Sequence, residues 1–166
     1  MGEQGAMVQP LGDWLQVSRA IEVAIDGVTE VELDFRGGSN GWSIRENIHH
    51  LVESNVVACS IAIAAVGESS CAFDCSWMTP DRSWMERTGY TRAAVAPAID
   101  ALSALCRYVA SLLNASPDVL QREVKLLAVP GEVPYSMTVE HMIRQEVEHV
   151  QLHLQDITEA LKQRPR

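Results

Sequence analysis

Residues 137–157 read MTVEHMIRQEVEHVQLHLQDI, and the apolar side chains in and just beyond this stretch recur at helical spacing: Val139, Ile143, Val147, Val150, Leu154, Ile157 and Leu161. At about 100° per residue these fall on one stripe, which predicts an amphipathic helix from Thr138 to about Gln163. A stripe of that kind needs other helices to cover it. The stretch also carries His149 and His153, four residues apart and one turn apart on the helix.

Three further segments have the same periodicity. Leu11, Leu15, Ile21 and Ile25 mark a helix that ends before Gly27. After the turn-rich RGGSNG of residues 36–41, Ser43 followed by Glu46 forms a capping box that starts a helix from about Ile44 to Val66. A third runs from about Arg92 to Leu113, with Pro97 near its start, where the ring is tolerated. Between them, residues 67–90 read as a long loop with a short helical turn, and residues 117–136 as mixed. No strand-rich region is evident. The expected architecture is one all-α domain over residues 1–166, a four-helix bundle with residues 1–10 as a flexible N-terminus.

Composition narrows the partners. A formal charge of −9 on 166 residues disfavours nucleic acid and anionic membrane, whose binding relies on clustered Lys and Arg. The basic tail Lys162, Arg164 and Arg166 reads as a solvated helix end. The apolar run from Val56 to Val66 is shorter than a membrane span of about 20 residues. With no targeting segment in view, the reading is a soluble, cytoplasmic protein. Cys59 and Cys106 sit in apolar helical patterns and pack as small hydrophobes. Cys71 and Cys75, in a predicted loop, are a weak candidate pair for zinc or a redox bridge.

His149 and His153 occupy the margin of the last helix's stripe, with Met142 and Glu146, where a side chain still faces a neighbouring helix. His141 points away. On the second helix, Arg45, Glu46, Glu53 and Ser60 define the expected solvent arc and His49 falls within it. His50 instead approaches the opposite margin near Asn47 and Ser54, and is the better candidate to meet the other two. Three neutral imidazoles suit zinc, nickel or iron and leave positions open on the ion.

The stretch WSIRENIHHLVESN of residues 42–55, the later DRSWMERTGY and the closing MTVEHMIRQEVEHVQLHLQDI resemble the DinB and YfiT-like superfamily of metal-binding four-helix proteins. The resemblance implies His50, His149 and His153 as metal ligands, in agreement with the helical phases. It also implies an up-down-down-up bundle, often a homodimer, and an activity on a small-molecule substrate, in some members with a low-molecular-weight thiol as cosubstrate. The expected function is a metal-dependent enzyme that activates a thiol or water, of the thiol S-transferase or hydrolase type. Glu53 and Glu146, each one turn from a ligand, are the candidate proton acceptors. The alternative is a structural module in which an ion ties two helices together without catalysis.

Overall fold

The structure, a computed structural model, describes residues 9–68, 70–78 and 80–163. Arg164 and Arg166 of the basic tail lie outside them, as do residues 1–8 of the predicted flexible start. The first bundle helix is in two pieces, α1 (Gln9–Leu15) and α2 (Val17–Ala24), joined at Gln16. The long helices are α3 (Ile44–Gly67), α5 (Val95–Ala115) and α6 (Val139–Leu161), with a short α4 (Arg82–Thr88) between α3 and α5. Three of these starts are capped by a side chain. The Ser43–Glu46 capping box is closed in both directions, with Ser43 N donating to Glu46 Oε2 at 2.8 Å and Glu46 N donating to Ser43 Oγ at 3.2 Å. Thr138 caps α6 by accepting from His141 N, and Asp81 caps α4 by accepting from Trp84 N.

α3 packs against α5 and α6, and the α1/α2 helix packs against the same two. The first and second bundle helices therefore lie across the core from each other. Trp14 of α1 spans that diagonal: it is fully buried, and its indole N–H donates to Asn55 Oδ1 of α3 at 2.8 Å. α3 and α5 run in the same direction, because Arg45 at the head of α3 donates to Ala93 O just before α5. Arg122, just past α5, donates to Ala65 O at the foot of α3. The result is the up-down-down-up order. Two parallel neighbours force a long return, which residues 68–94 supply.

That return and the segment before α6 are more ordered than the sequence suggests. β1 (Ala72–Asp74) pairs in parallel with β2 (Glu123–Leu127), which pairs antiparallel with β3 (Tyr135–Thr138). This small sheet caps the bundle where α3 and α5 end, with Val124, Leu126 and Met137 turned inward. Cys71 and Cys75 flank β1, in a segment whose ends bond to β2 through Cys71 O and Cys75 N. Four residues of strand separate their Cα atoms by about 13 Å. A disulfide needs less than about 7 Å, so they are no redox pair. Cys59 and Cys106 are buried, as expected, and their mutual hydrogen bond and burial push the Cys59 thiol up.

The expected solvent arc of α3 is corrected. Arg45 and Glu46 are buried, Arg45 held by Glu30 and Asp34 and Glu46 by Arg36 and Arg82. His49 is partly covered too, stacked on Tyr90 and bonded to Ala93 O. Residues of the connections, not water, meet that arc. α3 and α5 are long and apolar enough to cross a membrane by composition alone, yet α3 keeps Glu46, Asn47, His50, Ser54 and Asn55 inside the bundle.

Candidate metal centre

α3 delivers His50 and the antiparallel α6 delivers His149 and His153 to one point. The Nε2 atoms of His50 and His149 are 3.2 Å apart and those of His149 and His153 are 3.0 Å apart. The ligand nitrogens of all three lie within 4.8 Å of one another. Nitrogens at about 2.0–2.1 Å from a tetrahedral zinc ion stand about 3.3 Å apart, so this spacing fits a shared divalent ion. Among the described residues no fourth His, Cys, Asp or Glu joins the group.

The far side of two rings is held. His153 Nδ1 lies 2.7 Å from Asn47 Oδ1, an oxygen that also accepts from Asn40 Nδ2, while Asn47 Nδ2 donates to Ser43 O. Since Oδ1 can only accept, His153 carries its proton on Nδ1 and presents a lone pair at Nε2. His149 Nδ1 lies 3.4 Å from Ser54 Oγ, and that hydroxyl is 3.0 Å from Glu146 Oε2. His50 Nδ1 is buried without a hydrogen-bond partner among the described residues. Trp42 closes one side, stacked on His153 at 5.5 Å and edge-on to His50 at 5.1 Å. Burial first, and then the neighbouring His149, pushes His50 down to about 3 and His153 down to about 4, so both are neutral at pH 7. Neutral imidazoles are what a cation requires.

The three ligand candidates thus meet, and the two acid–base candidates separate. Glu146 reaches the cluster on the Nδ1 side of His149, through Ser54 and directly at 3.7 Å. Glu53 accepts from Trp84 Nε1 of α4 at 3.1 Å, and no contact among the described residues brings it to the three imidazoles. Trp84 also packs against Trp77 at 5.8 Å, the ordinary aromatic contact under a loop. The supporting residues Asn47 and Ser54 had a sequence signal: with His50 they make polar positions at three- and four-residue steps along one margin of α3. Asn40, in the RGGSNG turn, had none.

Comparison with known proteins places these observations. A family model described as the DinB superfamily matches residues 14–157. Among solved structures, YfiT from Bacillus subtilis, described as a probable metal-dependent hydrolase with an unusual four-helix bundle topology, superposes with a TM-score of 0.77. The match covers 98% of this chain and 92% of that one, at 19% identity. No curated protein matches the chain.

Proposed function

From the fact that this chain belongs to the DinB superfamily, and from its three convergent imidazoles, we propose that it is a divalent-metal-dependent enzyme acting on a small molecule. His50, His149 and His153 are the ligands. The carrying observation is a three-nitrogen cluster with no fourth protein ligand among the described residues, since structural zinc sites close with four ligands while catalytic ones keep a position open. The donor set suits zinc, nickel or iron. A divalent ion at such a site lowers the pKa of water or a thiol, so that the nucleophile exists as an anion near neutral pH.

The protein's own part is orientation. Asn47 fixes the tautomer of His153, and Ser54 with Glu146 does the same for His149. Glu146 is then a positioning residue that acts through Ser54. Trp42 shields two of the rings and lowers the local dielectric. Hydrolysis is favoured over thiol transfer, because among the described residues no Lys or Arg lines the neighbouring cavity to hold an anionic thiol cosubstrate. YfiT's description points the same way.

The test is elemental analysis of untagged protein beside a His149→Ala, His153→Ala double variant, followed by turnover of neutral esters and amides, and of electrophiles with small thiols, after zinc, nickel or iron is restored. Stoichiometric metal in the wild type alone, with metal-dependent ester or amide cleavage, is expected. Equal metal content in both proteins sinks the reading.

A further inference from the structure

Between α3 and α6, adjoining the histidines on the Nδ1 side of His149, lies a cavity of about 250 Å³ whose near end is formed by Ser54 and Glu146, the pair that holds that ring. Because α3 and α6 are antiparallel, the step from His50 to Ala58 on one and from His149 to Met142 on the other leads the same way. Both Ala58 and Met142 line the cavity. Seven residues of helix cover about 10 Å, so the cavity extends roughly that far from the cluster.

Its chemistry is selective. Met78, Met137 and Met142 and the thiol of Cys75 make a soft, adaptable wall. Burial and then the neighbouring Asp74 push the Cys75 thiol up, so it stays uncharged. Among the described lining residues Glu146 alone is charged, and Ser54 donates to its carboxylate. An anionic group would meet that carboxylate without a cation to offset it. A dry cavity of about 150 Å³ holds benzene, so this one accepts about six to ten carbon atoms.

We propose that the cavity receives an uncharged, mainly aliphatic arm of the substrate, whose reacting group lies at the three histidines. The assignment rests on the metal-dependent reading above, and its test separates the two. In the metal-free protein, labelled methionine methyls of Met78, Met137 and Met142 should shift on titration with hexanol, and far less with hexanoate. Ala128→Phe, at an exposed position that lines the cavity, should abolish those shifts without unfolding the protein. In the zinc-loaded protein, alkyl hydroxamates from two to about eight carbons should bind about three- to fourfold more tightly per added methylene, and Ala128→Phe should flatten that series. Methyls that ignore hexanol, an equal response to hexanoate, or hydroxamate affinity independent of length would each overturn the arm-binding role. Failure of acetohydroxamate to bind the zinc-loaded protein counts against the metal reading instead, and the hexanol titration still decides whether the cavity takes a neutral chain.

Discussion

Asn47 illustrates how much a single buried amide can govern. Its carbonyl oxygen is the acceptor that aims His153, and it is fully buried, so no water substitutes for it. Asn47→Leu should weaken zinc binding by about 10- to 100-fold, as loss of such partners does elsewhere, while the helix still forms. Competition with a chromogenic chelator reads that change directly. The metal-free protein should also be acid-sensitive. His50 and His153 are held to about 3 and about 4 in the folded chain against an ordinary 6.5, so between those values the unfolded chain binds more protons. Stability is therefore full above about pH 6.5 and falls as pH drops toward 3. Melting temperatures of apo protein from pH 7.5 to 4 should show this, and a His50→Gln, His153→Gln variant should show a flatter slope. Of the residues at the site, the histidines were legible because charge and spacing fixed their helical phase. Asn40 was not, since a turn residue's destination depends on tertiary packing.

At the level of elements, helix starts were the most readable feature and solvent faces the least. The Ser43–Glu46 signal placed the head of α3 to the residue. The same Glu46 is read as exposed from its charge, yet its carboxylate is buried. Burial alone would raise its pKa, and the hydrogen bonds from Arg36, Ser43 and Arg82 reverse that and hold it below the usual carboxylate range. Nothing in one helix's periodicity announces partners at residues 36 and 82. Glu46→Ala removes the capping box and strips two half-exposed arginines of their partner. It should cost about 2–4 kcal/mol, toward the low end for broken buried pairs because the arginines retain water. Urea denaturation reads that loss, and Glu46→Gln, which keeps a side chain able to cap, should lose less. The sheet escaped sequence reading for a simpler reason. β1 is three residues long, and the in-out alternation of β2 over Glu123–Leu127 is too brief to distinguish from a helical turn.

Across the whole molecule, the architecture follows from where the connections lie. The RGGSNG turn rests directly on α6. A Cβ on Gly38 would stand 2.6 Å from Asp156 Cβ and 2.7 Å from its Cα, at a backbone φ of +74°, while Ser39 N donates to Asp156 Oδ1 at 2.8 Å. Gly38→Ala combines a left-handed backbone with overpacking and should cost roughly 2–4 kcal/mol. That corresponds to a melting temperature lower by about 5–15 °C in a domain of this size. Gly41→Ala, with φ +67° and open space, should lose only the conformational part. The bundle itself was legible because four apolar stripes need one another. Its order was not, because periodicity says nothing of which helices become neighbours, and the up-down-down-up arrangement entered through family resemblance. The diagonal placement has one more outcome. His50 and His149 are 99 positions apart. A ribosome adds about 5–20 residues per second, so at least several seconds separate the first imidazole from the second. Throughout that interval a nascent chain can offer only a single one of these nitrogens, and the ion must be captured after α6 has docked.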